Sequence, residues 1–101
     1  MFDKAKQLYQ MQKKAREVQK ELKETEVEAR SQNGSVTVVF NGEQHLLSLE
    51  IASEFLAPDK KRQLEEDLKK TITEAISRVQ AMASEKSKDM MKDMGINIPG
   101  M

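Results

Sequence analysis

The sequence has no cysteine and no tryptophan, one histidine, two prolines, four glycines, and only three Phe and one Tyr among its 101 residues. Without cysteine it has no disulfide framework, no thiolate zinc site and no thiol nucleophile. With so few aromatic rings it cannot fill a large core by itself. The single histidine, His45, stands beside a predicted turn and has no second imidazole to join in a catalytic or metal-binding set, so it reads as a turn-end side chain. No apolar run approaches the roughly 18 residues that span a membrane. The opening MFDKAKQLYQ lacks the apolar region of a secretory signal. The expectation is a cytoplasmic protein with no membrane partner, no small-molecule substrate, no cofactor, no metal and no catalytic residue.

Charge is abundant, at 34% of residues, and balances to zero overall. Its distribution is uneven. Residues 1–23 carry seven basic side chains against three acidic ones, residues 24–58 one against six, and residues 59–101 nine against eight. The neutral total hides a basic N-terminal arm and an acidic middle.

Leu8, Met11, Ala15, Val18 and Leu22 recur at alternating spacings of 3 and 4 among good helix formers, which predicts a helix over residues 3–24. A second stripe, Leu64, Leu68, Ile72, Ala75, Ile76, Val79, Met82 and Ala83, predicts another from about 59 to 88 or a little beyond, started by Pro58 and Asp59. Between them stand two Asn-Gly pairs, Asn33-Gly34 and Asn41-Gly42, each flanked by alternating apolar residues. Two-residue hairpin turns at both sites predict a three-stranded antiparallel meander, with strands at 25–31, 35–41 and 43–51. That register puts Val27 opposite Phe40 and Ala29 opposite Val38. It also puts Val38 opposite His45 and Val36 opposite Leu47. Val27, Ala29, Val36, Val38, Phe40, His45, Leu47, Leu49 and Ile51 then share one face. In the loop that follows, Phe55 and Leu56 are expected to tuck against the core. The fold class is α+β, an α-β-β-β-α protomer with long N- and C-terminal helices flanking the meander. Residues 1–94 form the domain, and the breaks at Gly95 and Pro99 mark 95–101 as a flexible C-terminal tail.

Strands of seven residues span about 23 Å, whereas the two helices reach about 33 Å and 45 Å. The helices overhang the sheet and expose apolar stripes, and a homodimer is the simplest cover. Glu65, Glu66 and Asp67 read as solvated partners of Lys69 and Lys70 on the second helix. The methionines at 82, 90, 91 and 94 read as an apolar helix end and not as a soft-metal site.

The basic arm is the feature with a plausible ligand. Lys4, Lys6, Lys13, Lys14, Arg16, Lys20 and Lys23 are candidate phosphate contacts, with Lys6, Lys13 and Lys20 in one row seven residues apart. Lys60, Lys61, Arg62, Lys69 and Lys70 are secondary candidates. A solvated coiled-coil face, serving a small adaptor or holdase that does not bind DNA, is the alternative.

The stretch NGSVTVVFNGEQHLLSLEI resembles the central signature of the YbaB/EbfC family of nucleoid-associated proteins, through Gly34, Val36, Val38, Asn41, Gly42 and Ile51. YQMQKKAREVQKELKETEVEA resembles the family's first helix, DKKRQLEEDLKKTITEAISRVQAMASEKSKDMM its second, and INIPGM its Pro-Gly tail. The resemblance implies a tweezer-like homodimer and a cytoplasmic, nucleoid-located protein without catalytic activity. It also implies binding to double-stranded DNA, with an effect on gene expression or nucleoid organisation.

Overall fold

The structure, a computed structural model, describes residues 2–93. Helix α1 runs Phe2–Glu24. Strands β1 (Glu26–Arg30), β2 (Val36–Asn41) and β3 (Leu46–Ile51) follow. Two short 3-10 turns, Ser53–Phe55 and Pro58–Lys60, lead into helix α2 (Lys61–Asp93). The α-β-β-β-α order is the one the periodicities predict. Helix α2 starts two residues late, because Pro58 opens a 3-10 turn first, and continues past 88 to Asp93, the short extension the stripe allows. The expected boundary at 94 and the tail over 95–101 lie outside the described residues.

The sheet is antiparallel in the order β1-β2-β3. Its first register is the expected one, with Val27 opposite Phe40 and Ala29 opposite Val38. The turn that sets it differs from a two-residue turn with both centres at positive φ. Gly34 alone is left-handed, at φ 76, and its N–H donates to the Ser31 carbonyl at 3.1 Å. The longer turn keeps the pairing because it adds one residue to each side.

The second register is not the expected one. Val38 pairs with Leu49 and Val36 with Ile51, while Phe40 pairs with Leu46 across an irregularity at Val39/Phe40. Asn41 and Gly42 are not the two centres of a tight turn. The loop continues to His45, whose carbonyl accepts from the Asn41 N–H at 3.0 Å, and the left-handed residue is Gln44, at φ 67. The Asn41 side chain organises this loop, its Oδ1 accepting from the backbone N–H of Glu43 and of His45 at 2.9 and 3.1 Å. Strand β3 therefore begins three residues later than expected, and His45 lies exposed outside it.

Gly42 is needed for proximity instead of for positive φ. Its N–H donates to the carbonyls of Leu22 and Thr25 at 2.7 and 3.1 Å. It thereby satisfies acceptors that the end of α1 leaves free. A Cβ at this position would lie 2.5 Å from the Leu22 oxygen.

Helix α2 lies across β2 and β1. Ala29, Val36, Val38, Phe40, Ala75 and Val79 form the buried core, with Val27, Leu64, Leu68, Ile72 and Ile76 half-buried around it. The line of α2 nearest the sheet is Asp67, Thr71, Ala75 and Val79. These are mostly small side chains that let helix and sheet approach, and the aliphatic row flanks them. Strand β3 lies outside this cover. Leu46, Leu47 and Leu49 are each about half exposed, at 48–49%. Neither Phe55 nor Leu56 joins the residues packed on the core, contrary to expectation: Phe55 is half-buried beneath Lys60, whose Nζ sits 5.1 Å from the ring centre, and Leu56 points to solvent. The 3-10 turn directs the two neighbours to different sides.

The overhang inferred from element lengths is present. The molecule measures 68 × 27 × 14 Å. Its C-terminal half of α2 runs back beside α1 as a two-helix arm, tied by a Lys86–Glu21 ion pair at 3.2 Å.

Candidate nucleic-acid interface

Helix α1 contains no Gly or Pro and a single β-branched residue, Val18, so it is a stiff carrier for its side chains. Lys14, Glu17, Val18 and Glu21 line one crevice with Lys86, Asp89, Met90 and Asp93 of α2, which places the two helices antiparallel. Successive residues of a helix are turned by about 100°. On that wheel Lys6, Lys13, Arg16, Lys20 and Lys23 fall on one side of α1, away from the α2 crevice. All five are exposed, and among the described residues none is ion-paired. The row expected at Lys6, Lys13 and Lys20 thus gains Arg16 and Lys23. At 1.5 Å per residue it extends about 26 Å.

The other two α1 candidates are placed differently. Lys14 turns toward α2 and pairs with Glu17 at 3.7 Å. Lys4 is in line with Leu8 and Met11 on the apolar side. The secondary candidates do not join the row, because α2 carries them over the sheet and not along the arm. Lys60 is bent onto its own loop, donating to the Glu54 carbonyl at 3.1 Å. Lys61, Arg62, Lys69 and Lys70 are exposed on the first part of α2, with Lys70 beside a polar cleft described below.

Charge is concentrated toward the free end of α1. Residues 4–16 hold five cations and no acid. The neighbouring stretch of α2, residues 81–93, alternates Lys86, Lys88 and Lys92 with Glu85, Asp89 and Asp93 and is neutral. Lys88 and Lys92 are exposed on this arm and escape sequence reasoning, since only the antiparallel packing brings them near α1. The same free end exposes Leu8 and Tyr9, at 60% and 64%.

A second polar feature lies where the β1–β2 turn meets α2. Arg30, Ser31, Gln32, Asn33, Gln63, Asp67, Lys70, Thr71 and Glu74 line a cleft of about 570 Å³. Asp67 was expected to be solvated, but it is 8% exposed. Its Oδ2 accepts from Asn33 Nδ2 at 2.8 Å and Ser35 Oγ at 2.7 Å, and its Oδ1 accepts from Gln63 Nε2 at 2.8 Å. The Asn33 hydrogen bond, then the one from Ser35, holds its carboxyl below the ordinary value. Burial opposes them, and Gln63 and the Lys70 charge assist. Glu74 is engaged by Arg78 at 2.6 Å. Asp67 fastens the turn to α2, Glu74 is held within α2, and both carboxylates already have donors, which is a structural arrangement and not a poised acid–base pair. Among the described residues no three His, Cys, Asp or Glu side chains gather as a metal site, and no helix is long and apolar enough to cross a membrane.

The sequence pattern of the YbaB/EbfC DNA-binding family matches residues 1–94. A nucleoid-associated protein of Alkaliphilus metalliredigens is 35% identical over 97 residues, covering 95% of this chain and 82% of that protein. One of Synechocystis is 34% identical over 94 residues, covering 91% and 78% respectively. The crystal structure of an uncharacterised Helicobacter pylori protein superposes with a TM-score of 0.77 at 24% identity, over 83% of this chain and 88% of that one. This last likeness concerns the fold alone.

Proposed function

Because the chain belongs to the YbaB/EbfC DNA-binding family, we propose that it binds double-stranded DNA in the bacterial nucleoid through phosphate contacts made by the α1 row. The observation that carries this reading is the set of five exposed, unpaired cations on one side of a projecting helix. Such a row displaces counterions from a polyanion, and each phosphate contact contributes about −0.9 to the log–log salt slope. The row is a line of charge aimed at the backbone, and phosphate contacts carry no sequence information, so sequence preference is weak and the role is one of nucleoid organisation or broad effects on gene expression. No catalytic step is proposed, and residues 1–94 carry the activity. A chain ending at residue 94 is expected to bind DNA as the full chain does.

The active form in this reading is a homodimer. Leu46, Leu47 and Leu49 crowd a free edge strand that α2 leaves uncovered, and an apolar edge of this kind favours association. Pairing two copies doubles the number of cationic rows presented to DNA.

The experiment is a duplex titration at several salt concentrations with the parent and with Lys6, Lys13 and Lys20 all changed to Gln. Gln keeps helix propensity, so the fold is retained. The variant is expected to bind more weakly on any duplex, with a shallower slope. Equal slopes would transfer the contact to Lys61, Arg62, Lys69 and Lys70. Absence of salt-dependent binding in the parent would favour the adaptor alternative.

A further inference from the structure

The spacing along the exposed side of α1 is 3, 4, 3, 4, 3, through Lys6, Tyr9, Lys13, Arg16, Lys20 and Lys23. Five of these six positions are cationic and one is aromatic. Tyr9 is not part of the apolar stripe that starts at Leu8 and Met11. It stands in the cationic row, three residues after Lys6 and four before Lys13, the two spacings at which helical side chains are neighbours. It is 64% exposed and has no hydrogen-bond partner among the described side chains. Packing does not account for an aromatic ring there, since the α2 crevice is on another side of the helix.

We propose that Tyr9 is a base-stacking residue, so that the arm prefers DNA with an accessible nucleobase, such as a short single-stranded gap, over continuous duplex. This rests on the DNA-binding reading above and adds a specificity to it. Lys6 and Lys13 are two helical turns apart, about 10 Å, and phosphates held by them bracket the ring. In continuous duplex every base face is covered by its neighbours, so the ring meets only backbone and groove edges. At a gap the base faces are open, and an aromatic ring among cations stacks on any of the four bases. The selectivity is therefore for DNA structure and not for sequence.

Stacking one base is worth about 1–3 kcal/mol, and about 1.4 kcal/mol is a factor of ten in affinity. The parent is expected to bind a duplex carrying a two-nucleotide gap about tenfold more tightly than the same duplex without it. Tyr9→Phe keeps the preference. Tyr9→Ala loses it, while its salt slope, which counts phosphates, stays that of the parent. Lys13→Gln weakens binding to both DNAs and lowers both slopes. Tyr9 is the sole tyrosine in a chain without tryptophan, so tyrosine emission, corrected for DNA absorbance, reports this ring alone and should be quenched more by the gapped DNA. Equal affinity of the parent for both DNAs, or a preference that persists in Tyr9→Ala, would overturn the stacking role while leaving phosphate binding intact. Failure to bind either DNA would overturn both.

Discussion

The amide of Gly42 donates to the carbonyl of Leu22 at 2.7 Å, joining the turn between β2 and β3 to the last turn of α1. This contact fixes where the arm leaves the sheet, because it seals a helix end that Thr25 also caps, through its Oγ1 on the Glu21 carbonyl at 2.6 Å. An added Cβ would meet backbone and not a yielding side chain. Gly42→Ala is expected to destabilise by about 1–3 kcal/mol. In a domain of this size that lowers Tm by roughly 4–8 °C per kcal/mol. Calorimetry checks it, and an unchanged Tm would mean that α1 does not dock on this turn.

The two remaining turn positions are expected to respond in opposite directions. Gly34 has open space around it but a φ of +76, so Gly34→Ala should cost about 1 kcal/mol through backbone strain alone. Gln44 holds a left-handed conformation without being glycine, and Gln44→Gly is expected to stabilise by up to about 1 kcal/mol. Denaturant midpoints decide between this loop and a two-residue Asn41-Gly42 turn, in which Gln44→Gly brings no gain.

Asp67 makes stability depend on acid pH. Its folded-state pKa lies below the ordinary 3.8, so the unfolded chain takes up its proton first as pH falls. The contribution is complete above that value and is lost as pH drops through the lower folded-state pKa. Asp67→Asn removes this dependence. The stability difference between parent and variant, followed by chemical denaturation, should be constant near neutrality and shrink below about pH 4, the usual carboxylate range. A difference that stays constant to the lowest pH would show that Asp67 carries no such linkage.

The β3 edge is tested by charge. Leu49→Lys places a cation on the half-exposed edge strand opposite Val38. Since Leu49 is not enclosed in the protomer core, folding is expected to survive while association is lost. Equilibrium ultracentrifugation should give about twice 11.5 kDa for the parent and the single-chain mass for the variant. A dimer unaffected by the change would place the contact on another surface.

The sequence by itself determined the elements whose cause is local. The 3–4 spacing of Leu8, Met11, Ala15, Val18 and Leu22 suffices for α1. The alternation around Asn33-Gly34 suffices for the β1–β2 register, because turn and apolar faces agree there. The row at Lys6, Lys13 and Lys20 follows from helical geometry, and the overhang follows from counting residues. Tertiary structure decided what depends on residues far apart in the chain. The β2–β3 register turned on Gly42 meeting Leu22, a contact between elements that overrides the local preference of Asn-Gly. Asp67 is buried because Asn33 and Ser35, more than thirty positions earlier, supply donors that offset its desolvation. Local charge pattern alone read it as solvated. The direction of α2 over β1 and β2 decided that β3 stays uncovered, that Lys14 faces a helix and that Tyr9 faces solvent. Periodicity defines a side of a helix, but only packing decides which side is buried.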